Sequence, residues 1–213
     1  YLMSKAGYAA QGVEPNKGYA EFAKAEYGID VQVGTVSDIF AVEEKWDVIT
    51  LHHVLEHLAD PVVVLKNLAD ILSDDGVVVI EVPNVEARYH GPQRRFHFAH
   101  LHTFSKEGLD LAASFAGLTK KGTLLQPGTG HINSIYKKTT GTALSPDSAV
   151  ARRIEHHLDI DTPLRDIFTS RPYRRLWANL KRPLREKAAL TKLNAPESAK
   201  DILDRLFGRE LER

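Results

Sequence analysis

Four ionisable residues, His52, His53, Glu56 and His57, follow directly on the run Trp46-Asp47-Val48-Ile49-Thr50-Leu51. Imidazole titrates near neutrality, so such a cluster can take up or release a proton during catalysis. His53-Val54-Leu55-Glu56-His57 also spells His-x-x-Glu-His, the spacing of a zinc hydrolase. On one helix face its two imidazoles would hold a metal while Glu56 served as general base. His100 and His102 supply two further bases, and His90 and His97 before them read as loop residues. Glu14-Pro15 closes a short apolar run and precedes a helical pattern. In nucleotide-binding α/β folds an acid in that position accepts both hydroxyls of a ribose, at roughly 1.5–3 kcal/mol for each charge-assisted bond. An exposed turn residue is the alternative.

The elements that must position these groups alternate between strand and helix. Tyr1–Ala6 reads as the last turn of a helix stopped at Gly7, and residues 8–13 as a strand ending at Glu14-Pro15. Tyr19, Phe22, Ala23 and Tyr27 recur at helical spacing up to Gly28, and Val31-Gln32-Val33 is a strand closed by Gly34. Residues 47–51 read as a buried strand that delivers its polar cluster to the C-terminal end, where open α/β sheets place ligands. Asp60 is an expected N-cap with Pro61 at the first helical position, and Leu65, Leu68, Ile71 and Leu72 form one apolar stripe. Asp74-Asp75-Gly76 predicts a turn before the apolar strand Val77–Val82. Residues 106–116 predict a helix offering Leu109, Leu111, Ala112 and Phe115 to the core, with Gly117 as its stop. Segments 118–126 and 131–137 flank Pro127-Gly128-Thr129-Gly130, which predicts an antiparallel hairpin. The pattern defines an α/β fold with an open, mostly parallel sheet ending in an antiparallel hairpin. It divides the chain into a domain over 1–138, a linker over 139–147 and a helical extension over 148–213.

Composition narrows the function classes. The 213 residues carry 28 Lys+Arg against 28 Asp+Glu, so no global charge predicts a nucleic-acid partner. No cysteine is present, which excludes disulfides, thiolate metal ligands and Cys nucleophiles. No apolar run reaches the length of a membrane span and no secretory leader opens the chain, so a soluble, cytoplasmic protein is expected.

Taken together, Leu51-His52-His53, Leu55-Glu56-His57-Leu58, Gly76-Val77-Val78-Val79-Ile80-Glu81-Val82-Pro83-Asn84 and His100-Leu101-His102-Thr103-Phe104-Ser105 resemble class I S-adenosyl-L-methionine (SAM)-dependent methyltransferases of type 11/23. The resemblance covers about residues 1–137 and implies a Rossmann-like fold with SAM as cofactor. It makes Glu14, with Pro15, the ribose anchor and places Thr35 where many members carry an Asp that binds the adenine amino group. It sets Val36 against the adenine ring, Leu51 and His52 around the methionine portion, and His53 close to the sulfonium. The family's first strand and its Gly-rich loop have no counterpart in the sequence and would lie upstream of Tyr1. A longer natural chain is therefore expected, and one beginning at Tyr1 is expected to melt non-cooperatively. Some methyltransferases hold a divalent ion through Glu-x-x-Glu-His and a later His. Here His53 replaces the first Glu while Glu56, His57 and His102 remain. The alternative is that Glu56 and His57 cap a helix and order a loop.

Displacement at a sulfonium needs chiefly an acceptor held in line with the methyl group. A hydroxyl acceptor also needs a base, for which His100 and His102 lead and His53 follows. The expected acceptor is a small molecule, a sugar or a carrier-linked intermediate. In the extension, Arg171, Arg174, Arg175, Lys181, Arg182, Arg185 and Lys187 surround Tyr173, Leu176, Trp177 and Leu180. This reads either as a basic surface for an anionic head group, nucleotide-sugar or phosphorylated carrier, or as a helix docked by its apolar face. A non-catalytic module that keeps the fold for binding is the alternative to an enzyme.

Overall fold

The computed structural model describes residues 1–41, 44–87, 92, 96–124, 130–190 and 198–211. The turn residues 127–129, the loop residue His90 and Glu197, where acidic residues return to the sequence, lie outside them. The chain forms two compact units, Tyr1–Val42 with Asn179–Arg213, and Glu43–Ala178. The expected linker at 139–147 falls inside the second.

In the first unit, α1 (Leu2–Lys5) precedes β1 (Gln11–Glu14), α2 (Lys17–Tyr27) and β2 (Asp30–Val33). β1 and β2 pair in parallel, Glu14 opposite Val33. Asn16 caps α2 by accepting the Tyr19 N–H, and Gly28, at φ 64°, ends the helix in a left-handed turn that residues with a Cβ rarely adopt. Of the predicted stripe, Tyr19 and Phe22 stay exposed, and Ala20 is the fully buried residue. A two-stranded ribbon of four-residue strands offers too little surface to cover aromatics.

The second unit holds β3 (Trp46–His52), α3 (Pro61–Ile71), β4 (Leu72–Pro83), α4 (Lys106–Phe115), β5 (Leu118–Thr123) and β6 (His131–Lys138). Its sheet has the order β3-β4-β6-β5, with β3–β4 parallel and the hairpin pairings antiparallel. Both sheets are thus open, and the second is mixed. Leu65 and Leu68 of α3, Leu72, Val78, Ile80 and Val82 of β4, and Leu109 and Ala113 of α4 form its core. Asp60 accepts the Val63 N–H and Ser105 the Gly108 N–H, fixing the starts of α3 and α4. Tyr136, fully buried, donates to Asp110 and ties β6 to α4.

Three local expectations are corrected. β3 is an edge strand rather than a buried one, so Leu51 alone in it is buried while Val48 and His52 are exposed. Strand β4 begins at Leu72, and the predicted turn at Asp74-Asp75-Gly76 is a register irregularity within it. Phe115 points outward and Ala113 takes the core position on α4.

Four helices follow: α5 (Ser148–Ile160), α6 (Pro163–Ile167), α7 (Arg171–Leu190) and α8 (Ala199–Leu211). The start of α7 is held by its basic side. Arg171 pairs with Asp161 and with Asp166, at 2.9 Å, and Arg175 with Asp166 at 3.0 Å; both aspartates are buried. Leu176, Trp177 and Leu180 are exposed, so α7 is not docked by its apolar stripe. No helix among the described residues is long and apolar enough to cross a membrane.

A Cβ on Gly76 would lie 2.8 Å from the Trp46 carbonyl oxygen, where β3 and β4 meet. Gly76→Ala is therefore expected to lower stability by about 1–3 kcal/mol, measured as a reduced denaturant midpoint with an unchanged slope.

Candidate functional site

In the first unit the chemistry gathers where the parallel strands end. The Gly34 N–H donates to the Glu14 carbonyl, which brings Glu14 beside the turn that carries Thr35 and Val36. Glu14 Oε1 accepts the Asn16 N–H at 2.8 Å, leaving Oε2 as an acceptor. Pro15 between them is exposed. Thr35 donates its backbone N–H and its hydroxyl to Asp38 Oδ2, at 2.6 and 3.0 Å, and Val36 opens a short 3-10 helix over Val36–Ala41. The two bonds hold the Asp38 carboxyl below the usual carboxylate range. With its proton committed to Asp38, the Thr35 oxygen retains lone pairs that can accept a hydrogen bond.

In the second unit β3 delivers Leu51, His52 and His53 to its C-terminal end. His53 takes φ 54°, a left-handed conformation that costs about 1–2 kcal/mol for a residue with a Cβ. The chain then enters a one-turn 3-10 helix, Leu55–His57. His53 lies between two carboxylates, Nδ1 at 3.2 Å from Glu56 Oε1 and Nε2 at 3.1 Å from Glu81 Oε1. His52 Nδ1 is 3.8 Å from the other oxygen of Glu81. That oxygen accepts the side-chain amide of Asn133 at 2.8 Å. Burial pushes the Glu81 pKa up, but the Asn133 amide and the imidazoles of His53, His52 and His131 outweigh it, leaving the carboxyl below its ordinary value. Glu56 is 1% exposed, and its Oε2 has no hydrogen-bond partner among the described residues.

The segment 97–102 closes over this end through Glu56, His57 and Ala59. The His102 N–H donates to the Glu56 carbonyl, and the His57 Nδ1–H donates to the Ala99 carbonyl at 2.9 Å. His102 Nε2 lies 3.2 Å from the Ala59 carbonyl, an acceptor only, so it carries a proton. The His100 ring meets His57 edge-on at 4.9 Å between centroids. Desolvation lowers the His100 pKa, His57, His97 and His53 add to the effect, and the nearby Glu56 opposes it. The shift favours the neutral imidazole. His97 is an exposed residue of the same segment.

Glu56, His57 and His100 bring one ligand atom each within 4.8 Å of one another, and so do His53, Glu81 and His131. His102 belongs to neither group, since its ring is engaged at Ala59. The zinc-hydrolase reading fails on geometry: His53 precedes the 3-10 turn in a left-handed conformation and falls in a different ligand group from His57. The Glu56 carbonyl and the His57 ring hold His102 and Ala99 of the 97–102 segment, while the helix cap expected of Glu56 and His57 is supplied by Asp60. Sequence reasoning passed over Glu81, although a lone acid in Val77-Val78-Val79-Ile80-Glu81-Val82 was a visible signal. His131 and Asn133 carried none.

A family model for a methyltransferase domain matches residues 2–121, more than half of the chain. The chain is similar to the CcbJ methyltransferase of Streptomyces caelestis, with 14% identity, a TM-score of 0.55, and coverage of 65% of this chain and 78% of that one. A TehB-like SAM-dependent methyltransferase from Corynebacterium glutamicum has 20% identity, a TM-score of 0.47, and coverage of 65% and 72%. A Burkholderia thailandensis 1,6-didemethyltoxoflavin-N1-methyltransferase has 16% identity, a TM-score of 0.48, and coverage of 62% of each chain. No curated protein matches. The fold is of the open α/β class. The chain belongs to the SAM-dependent methyltransferase domain family, and its cofactor is SAM.

The His100 ring is expected to titrate below its ordinary value of 6.5, followed by the NMR shifts of its ring protons. Glu56→Gln removes the charge that raises this pKa and is expected to move the midpoint lower still. The shift also has a consequence for folding. A depressed imidazole pKa contributes stability that is present above 6.5 and is lost as pH falls from there through the folded value.

Proposed function

We propose that the chain transfers the methyl group of SAM to a hydroxyl oxygen of a small-molecule acceptor, with His100 taking the hydroxyl proton. The observation that carries this reading is the placement of the His100 imidazole in one cluster with the buried Glu56 carboxylate. An imidazole that stays unprotonated at pH 7 is ready to act as a base, and a negative charge close by stabilises the imidazolium that results. His53 and His102 fit the role less well. Both ring nitrogens of His53 face carboxylates, and the His102 Nε2–H is spent on a carbonyl.

When bound, SAM supplies an electrophilic methyl group that is displaced directly from sulfur. The residues of the first unit suit its adenosine half. Glu14 Oε2 can accept from the ribose hydroxyls, Pro15 fixes the chain after it, and Thr35 and Val36 offer an acceptor and an apolar contact for adenine. In the second unit, Leu51, His52 and His53 stand together where β3 ends. Orientation of the acceptor supplies most of the acceleration, and proton removal by His100 about 10²–10⁴-fold. A sugar or carrier-linked alcohol is the acceptor class to try first. No basic nucleic-acid-binding module appears in the sequence to suggest a polynucleotide.

Formation of S-adenosylhomocysteine across a panel of alcohols, sugars and amines tests the acceptor class. Alcohols are expected to turn over with a pH profile whose acid limb lies below 6.5. His100→Gln is expected to lower kcat by about 10²–10⁴-fold and to abolish that limb. Turnover of amines alone, or an unchanged acid limb in His100→Gln, would contradict the reading.

A further inference from the structure

We propose that His53, Glu81 and His131 form a binding site for a divalent transition-metal ion. The three residues come from adjacent elements at one end of the second sheet. His53 follows β3, Glu81 lies on β4, and His131 is the first residue of β6. In the ladder Glu81 faces Asn133 and Pro83 faces His131, so Glu81 and His131 are diagonal neighbours on one face. Hydrogen-bonded strands hold ligands more firmly than a loop would.

The distances suit an ion. His53 Nε2 and Glu81 Oε1 are 3.1 Å apart. Two donors each at about 2.1 Å from a common metal stand roughly 3.0–3.4 Å from one another in octahedral to tetrahedral geometry. All three ligand atoms lie within 4.8 Å, and the His53 and His131 rings approach edge-on at 4.7 Å. Two imidazoles with one carboxylate are a donor set that zinc and divalent iron, cobalt or nickel accept, and three protein ligands leave a position open.

A second set of contacts orients the ligands. With an ion bound at Nε2, the His53 Nδ1 would carry the proton and donate to Glu56, itself 1% exposed, 3.2 Å away. The buried Asn133 amide holds Glu81 Oε2 and leaves Oε1 toward His53. A carboxylate behind a ligating histidine and an amide behind a ligating carboxylate are the usual supports of a metal centre. The other group, Glu56, His57 and His100, shares Glu56 Oε1 with His53. The His53 side chain is 40% exposed, which gives an ion and a further oxygen ligand access from solvent. The site stands apart from the methyl-transfer proposal. Its use rests on that reading: the open position would take the acceptor hydroxyl oxygen and lower its pKa.

Titration of the chelator-treated full chain with Co²⁺, followed by visible absorption, and with Zn²⁺, followed by calorimetry, tests the site. One ion per chain is expected, with a d–d spectrum of nitrogen and oxygen ligation. Glu81→Gln and His131→Ala are each expected to weaken binding at least tenfold, while His156→Ala, at an exposed position on α5 and in neither ligand group, leaves it unchanged. Circular dichroism and SAM calorimetry on the same variants separate the outcomes. An unmodified chain that binds SAM but no metal overturns the site alone. Folded Glu81→Gln and His131→Ala chains with unchanged affinity also overturn it, as does loss confined to His57→Ala, which would move the ion to the neighbouring group. A chain that binds metal as expected but not SAM would leave the site standing and count against the methyltransferase reading.

Discussion

Two carboxylates withdrawn from water set the terms for everything around the site. Glu56 is almost fully covered, and Glu81 sits in the apolar strand β4 between β3 and β6. A buried carboxylate is tolerated only where hydrogen-bond donors or positive charge meet it. His53 answers both at once, and it reaches them by leaving β3 in a left-handed turn. The Asn133 amide answers the second oxygen of Glu81 from the opposite strand. The backbone of Glu56 then accepts the His102 N–H and draws in the segment that carries His100. Strain at one residue and the order of a loop thus follow from where two acids are placed.

The same principle governs the start of α7. Asp161 and Asp166 are buried because Arg171 and Arg175 reach down to them, so this helix is fixed by its charged side and its aromatic and aliphatic residues stay outside. Periodicity alone points the other way, since an apolar stripe normally faces a core. Arg153 acts alike on α5, bonding Glu86 at 2.9 Å and Glu107 at 2.8 Å. Hydrogen bonding by Arg153 holds Glu107 below its usual carboxylate range against the opposing effect of burial.

Much of the fold was legible before any coordinate because its signals are local. Asp60 caps a helix, Gly28 and Gly117 follow helix ends, and Val77–Val82 is an uninterrupted apolar strand. What stayed hidden depends on partners distant in sequence. The exposure of β3 follows from its edge position, and that of Tyr19 and Phe22 from the narrow ribbon beneath α2. At the site, His53, Glu56, His57 and His100 were visible as residue types. Glu81 and His131 join them only through the β4–β6 ladder, a pairing that neighbouring letters do not encode. Separating His100 from His102 likewise required knowing that the Ala59 carbonyl holds one ring and not the other.

Calorimetric titration of the protein with SAM, repeated on Glu14→Ala, tests the central claim most directly. The account predicts micromolar binding that weakens at least tenfold in the variant, equivalent to about 1.4 kcal/mol. Binding unchanged by the substitution would contradict the placement of the ribose at Glu14. Absence of binding to the intact protein would contradict the account of this domain as a working SAM enzyme.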